Sequence, residues 1–248
     1  MRPAAPWAPA GIARARRGGS RIVEEARIAH EPLLDMVERP TGTLRVSMPA
    51  DLATDHLAPI IADFAKMYPL IAFEFDLSPR QVDLQTEPFD LAIRIGPPPM
   101  APLTLVARPI AVLPRYLYAS PEYLKSAAPL THPSDLARHV VCIVEGATRW
   151  GEVARTFYRG DESVDVMIGT RFAMNSVTLI RGLAIQGVGL AVLNDMLARD
   201  DVTLGRLVRV LPDWSHAPAQ VYAVTETRLL PARTRLFIDF LRTRLHKL

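Results

Sequence analysis

The feature that most constrains this chain is an alternation of periods that begins at Thr43. TLRVSMP (43–49) reads as a strand with Leu44 and Val46 on one face. DLATDHLAPIIADFAKMYP (51–69) then places Leu57, Ile60, Ile61, Phe64, Ala65 and Tyr68 on one helical face, with Asp51 and Thr54 as candidate N-caps and Pro69 as the stop. IAFEFDLS (71–78) returns to a two-residue period through Ile71, Phe73, Phe75 and Leu77. After PRQVDLQTEPF, read as a short helix, DLAIRIG (90–96) reads as a third, central strand ended by the stiff turn GPPPMAP. Strand, helix, strand, short helix, strand is the grammar of a parallel sheet covered by helices. The first part of the chain is therefore expected to be α/β.

A second unit opens near Ser120. HPSDLARH reads as a short helix and VVCIV (140–144) as a buried strand, and TFYRGDESVDVMIGTRFAMN reads as paired strands around a Gly-Asp turn. NSVTLIRGLAIQ follows as a helix, with VGLAVL and RLVRVLP as strands. QVYAVTE is a last strand, and PARTRLFIDFLRTRL (231–245) is a helix with Leu236, Phe237, Phe240, Leu241 and Leu245 inward. A length of 248 residues suits either one long domain or two lobes.

Composition excludes several classes. With 49% hydrophobic and 22% charged residues the chain is neither disordered nor membrane-embedded, and no apolar run is long enough to cross a bilayer. The N-terminus carries arginines without an apolar h-region, so no secretory signal is read and a cytoplasmic location is expected. The single cysteine, Cys142, lies in VVCIV and reads as a core residue. Six scattered histidines lack zinc-ligand spacing, and no metal or cofactor is expected. The pI of 9.2 is misleading, because residues 1–21 hold five arginines and no acid; a whole-chain charge of +3 leaves −2 on the remainder. Arg228, Arg233, Arg235, Arg242, Arg244 and Lys247 near the C-terminus read as solvated helix charge rather than a phosphate-tracking face.

Glycines 182, 187 and 189 invite comparison with a phosphate loop, but such a loop lies after a strand and before a helix. Here the order is reversed. Gly182 is expected to permit close helix packing, Gly187 to end the helix with positive φ, and Gly189 to fit the turn into LAVL. The chemical interest moves to the other end of the helix, where Asn175 and Ser176 precede free backbone amides that suit a carboxylate or another small anion. Asp51 to Thr54 has the same form, and facing helix starts at strand carboxyl ends are where open α/β folds bind small ligands.

GTLRVSMPADLATDHLAPIIADFAKMYP, FDLAIRIG, ARPIAVLPRYLYASPEYL, NSVTLIRGLAIQGVGLAVL and GRLVRVLPDW, taken in order, resemble the effector-binding (substrate-binding) domain of LysR-type transcriptional regulators over residues 41–248. The resemblance implies a type II periplasmic-binding-protein-like fold: two α/β lobes joined by two crossover strands, preceded by a remnant linker helix. Lobe I would comprise 43–118 and 220–248, and lobe II 119–219. A small organic effector, a carboxylate or an aromatic molecule, would lie between them. Carried over by position, the cleft is lined by Ala50, Asp51, Leu52, Ala53 and Thr54; by Arg94, Ile95 and Gly96; by Glu145, Gly146, Thr148 and Arg149; and by Asn175 and Ser176. Many family members present serine or threonine at the first of these loops, whereas this chain has Asp51. An ionised Asp51 facing the cleft repels a carboxylate unless Arg94 or Arg149 compensates.

The resemblance also implies a homo-oligomer, with DNA bound through a winged helix-turn-helix ahead of a linker helix. Residues 1–40 read as a basic arm and a remnant of that linker: Pro9 to Gly11 resemble the end of the wing, and Arg14 to Val37 the helix. In that stretch Ile22, Ala26, Ala29, Leu33 and Met36 form an a/d seam interrupted by Pro32. Nothing before Pro9 holds a helix-turn-helix, so DNA binding is expected only if one is supplied upstream. Two other classes remain in view: transport-type solute binding on the same fold, and an enzyme built on a dispersed pair such as Asp51 and His56. The first lacks a signal peptide, the second lacks a nucleophile or metal constellation, and His56 is expected to be an exposed helix residue.

Overall fold

The computed structural model describes residues 40–78, 80, 82–97, 105–144 and 151–245. The linker-helix reading of 14–37 and the loop 145–149 lie outside the described residues.

β1 (Gly42–Met48) leads through Pro49 into a helix in three parts: α1 (Ala50–Leu52), a π-helical turn (Ala53–Leu57) and α2 (Ala58–Met67). Pro59 explains the widened turn, because it has no amide to donate and its ring crowds the carbonyl of Asp55 four residues back. Then come β2 (Ile71–Leu77), β3 (Leu91–Ile95) and the long β4 (Val106–Ala119). The expected short helix between β2 and β3 is instead a turn closed by bonds from the amides of Thr86 and Glu87 to the carbonyl of Asp83. On β2 the expected apolar face is only half covered: Ile71 is buried, whereas Phe75 and Leu77 are exposed.

The second unit contains α3 (Pro121–Ser126), a 3-10 turn (Pro133–Arg138), β5 (Val141–Val144), the hairpin of β6 (Gly151–Arg159) and β7 (Glu162–Thr170), and β8 (Ala173–Met174). It continues with α4 (Val177–Ile185), β9 (Leu190–Asn194), α5 (Asp195–Thr203) and β10 (Val208–Val210). β11 (Ser215–Thr225) returns to the first unit, and α6 (Ala232–Leu245) closes it.

The strand order β2-β1-β3-β11-β4-β9-β5-β8 explains the two-lobed plan. Parallel β2, β1 and β3 form one end; parallel β9, β5 and β8 form the other. The antiparallel pair β4 and β11 runs between them, from Thr225 opposite Val106 to His216 opposite Arg115. Each end has its own core. In the first, Leu44, Val46 and Met48 of β1 pack with Leu57, Ile60 and Phe64, and with Phe237 and Leu241 of α6. The rings of Phe64 and Phe237 meet edge-on with centroids 5.0 Å apart.

In the second unit the sheet is covered on both sides, which is why VVCIV and LAVL are unbroken apolar runs rather than alternating ones. Val141 and Ile143 join Leu190, Val192, Phe157 and Trp214 on one face. Cys142 joins Ala191, Leu193, Ile180, Ala184 and Leu197 on the other. Burial pushes the Cys142 thiol up to about 11, as befits a core side chain. α4 and α5 are clamped by Asp201, which is fully buried and paired with Arg181 and with Arg206 at 2.5 Å.

The glycines resolve into separate roles. Gly187 has φ of +73° and ends α4, as its position predicts. An added Cβ on Gly189 would lie 2.4 Å from the carbonyl oxygen of Val140, so this glycine serves close approach between neighbouring chain segments. Gly182 corrects the sequence reading: a Cβ there meets nothing within 4 Å, so no close packing depends on it.

Candidate functional site

The carboxyl ends of β1 and β8 face each other across the space between the lobes. β1 delivers α1 and the π-helical turn, and β8 delivers Asn175, Ser176 and the start of α4. Ser176 is the N-cap of α4, and its Oγ accepts from the Leu179 amide at 3.2 Å, as Ser at this position should. Asn175 is exposed one residue earlier.

Asp51 and Thr54 do not cap their own helix. The N-cap residue of α1 is Pro49, and the Thr54 hydroxyl donates back to the carbonyl of Ala50 at 3.0 Å. The Asp51 carboxylate crosses to the opposite lobe. Its Oδ2 accepts from the amides of Val177 at 2.6 Å and Thr178 at 3.3 Å, and its Oδ1 accepts from Ser176 Oγ at 3.4 Å. One helical turn on, Asp55 Oδ2 accepts from Thr178 Oγ1 at 2.8 Å. The spacing of four puts both carboxylates on one face.

His56, expected on the surface, is buried at 6% exposure. Its Nε2 lies 3.4 Å from Nδ2 of Asn194, at the carboxyl end of β9. Asn194 Oδ1 is engaged by the Leu197 amide at 2.9 Å, so its NH2 group is the donor and His56 Nε2 the acceptor. That assignment places the imidazole proton on Nδ1. Burial holds this imidazole below the usual histidine range, in keeping with a neutral acceptor.

Arg94 does not compensate Asp51. It lies within β3, and its guanidinium donates to the carbonyls of Ile93, Ser47 and Arg80 at 2.8, 3.1 and 3.0 Å, and to Ser47 Oγ at 2.9 Å. Desolvation lowers its pKa, a cost that these bonds offset. Ile95 is exposed at the end of β3, and Gly96, with φ of +121°, donates to the carbonyl of Gln220 at 2.9 Å. Ala50 is exposed, whereas Leu52 and Ala53 are side chains of the first core rather than of the cleft. Glu145, Gly146, Thr148 and Arg149 lie outside the described residues.

The sequence reading missed Asp55, Thr178 and Asn194. The first two had a faint signal in four-residue spacing from Asp51 and in proximity to Ser176. Asn194 had the same strand-then-cap grammar as Ser176 and could have been found by it. Two surface hollows lie away from this cleft. One of about 620 Å³ is bordered by Leu105, Ala107 and Arg228, and one of about 310 Å³ by Arg115, Arg155 and His216.

A mixed sheet crossing between two α/β lobes, with polar strand ends converging from both, defines the two-lobed small-molecule-binding class. Within that class, the LysR substrate binding domain profile matches residues 38–246. The chain belongs to that family. It is 32% identical over 227 residues to the HTH-type transcriptional regulator PtxR of Pseudomonas aeruginosa, covering 91% of this chain and 71% of that protein. It is 31% identical over 225 residues to the HTH-type transcriptional regulator DmlR of Escherichia coli, covering 90% and 71%. Among solved structures it resembles the regulatory domain of AphB from Vibrio vulnificus at a TM-score of 0.61 and 29% identity, covering 82% of this chain and 98% of that one. It also resembles the regulatory domain of CrgA from Neisseria meningitidis at a TM-score of 0.67 and 26% identity, covering 83% and 100%. The fold is the type II periplasmic-binding-like fold of LysR-type regulatory domains, and the chain is an effector-binding domain of that kind.

Proposed function

We propose that this domain senses a small organic effector in the interlobe cleft without transforming it, and that effector-dependent closure alters how copies of the chain assemble. The lobes in this reading comprise 43–118 with 220–248, and 119–219. The cleft is lined by Ala50, Asp51, Thr54, Arg94, Ile95, Gly96, Asn175 and Ser176. The observation that carries the reading is the convergence of β1 and β8 ends, with Asp51 in hydrogen-bond contact with Ser176 and Val177. In the relatives, named as HTH-type regulators, such a domain accompanies a DNA-binding segment. Control of transcription, through an oligomer acting in the cytoplasm, is the role inferred for the whole protein.

A thermal-shift screen of small carboxylates and aromatic molecules, with mass analysis of the recovered ligand, tests the proposal. An effector should raise the melting temperature and be recovered unchanged. The shift should be lost in Ser176→Ala and Thr54→Ala. A full shift in both variants would overturn the site assignment, and a recovered product would overturn the non-catalytic role.

A further inference from the structure

The first four amides of an α-helix have no acceptor within the helix, which is what makes a helix start an anion site. In α4 the three that follow the N-cap are taken: the amides of Val177 and Thr178 donate to Asp51 Oδ2 and that of Leu179 to Ser176 Oγ, and the helical ladder begins at Ile180, whose amide donates to the Ser176 carbonyl at 3.3 Å. The Ser176 hydroxyl is itself turned to Asp51 Oδ1. A carboxylate from the other lobe, 126 residues away in sequence, therefore sits where the carboxylate of a small ligand would sit.

The contact has neighbours from the same segment. Asp55 holds Thr178, and His56 accepts from Asn194. Three successive contacts thus reach from the β1–α2 connection of one lobe to strand ends of the other. The bonds to Asp51 are charge-assisted and lie on the positive end of the helix dipole, so they are the strongest of the set.

We propose that Asp51 is a built-in ligand: its carboxylate supplies the interlobe anion contact, so that closure needs no effector carboxylate, and it bars carboxylate effectors from the start of α4. The second half deepens the effector reading above and rests on it; the first half does not.

Amide hydrogen exchange on the full chain tests this without any effector. Val177 and Thr178 hold the first two helical positions, where amides exchange freely unless something outside the helix accepts from them. In the wild type they should be protected, and in Asp51→Ala they should exchange at least about tenfold faster. Sodium acetate, but not sodium chloride at equal ionic strength, should restore protection in the variant and leave the wild type unchanged. Amides of β9 serve as the folding control. If the alanine variant loses protection there too, Asp51→Asn decides: faster exchange at Val177 with β9 unchanged supports the proposal, and wild-type exchange at Val177 overturns it. Unprotected Val177 and Thr178 in the wild type, or a folded alanine variant that acetate does not rescue, would also overturn it. Because no effector is added, this outcome is separate from that of the thermal-shift screen.

Discussion

Lowering the pH should destabilise this domain through His216 in particular. The side chain is 8% exposed, sits edge-on to Phe157 with ring centroids 5.5 Å apart, and has Nδ1 3.1 Å from the carbonyl of Ala217. The same carbonyl accepts from Arg115 Nε at 2.7 Å. Burial, and then the Arg115 guanidinium, push His216 from 6.5 down to about 4. The unfolded chain therefore binds a proton that the native state refuses. Stability is complete above 6.5 and is lost as the pH falls through the window toward 4.

The whole gap corresponds to about 3 kcal/mol at the acid limit, of which roughly 2 kcal/mol is lost between pH 7 and pH 5. His56 and His139, also lowered mainly by burial, act in the same direction, so the measurement must be a difference. His216→Asn keeps a side-chain amide where Nδ1 lies and cannot titrate. Urea unfolding of both proteins at the two pH values should show the variant losing about 1–2 kcal/mol less than the wild type. Equal pH dependence in the two would refute the assignment of a buried neutral imidazole.

Two glycines in one segment should respond oppositely to the same change. Gly189→Ala drives a methyl group into the Val140 carbonyl and should cost about 1–3 kcal/mol, whereas Gly182→Ala, with open space and a helical backbone, should gain about 0.5–1 kcal/mol; thermal melts of the pair decide. Asp201→Asn leaves Arg181 and Arg206 facing a neutral group and should cost about 3–5 kcal/mol by chemical denaturation, with a loss below 1 kcal/mol arguing against a structural clamp.

The strands and their order along the chain were legible because their signal is local: a two-residue period in β1, and unbroken apolar runs where β5 and β9 are covered on both faces. Ser176 was legible for the same reason, since an N-cap speaks only to the next three residues. What Asp51 does was not legible. As a helix-start residue its local reading is a cap, but Pro49 holds that position and the carboxylate is spent on amides 126 and 127 residues away. No period or propensity carries that information; it exists only once the two lobes face each other. His56 was misread for a related cause, because a regular helix beginning at Asp51 ignores the wider turn ahead of Pro59. Gly182 shows the opposite error, a role assigned to a residue type where the surroundings demand none.

The ladder formed by β3, β11, β4 and β9 is continuous, so the two lobes share one elastic element rather than a pair of loose linkers. Rotation of one lobe against the other has to twist paired strands, and the resistance is least where the rungs are already out of step. The register of β11 on β4 shifts between His216 and Ala219 and again between Val221 and Tyr222, the second beside Pro109, which has no amide to give. Twisting of one lobe against the other is therefore expected to concentrate at those two places.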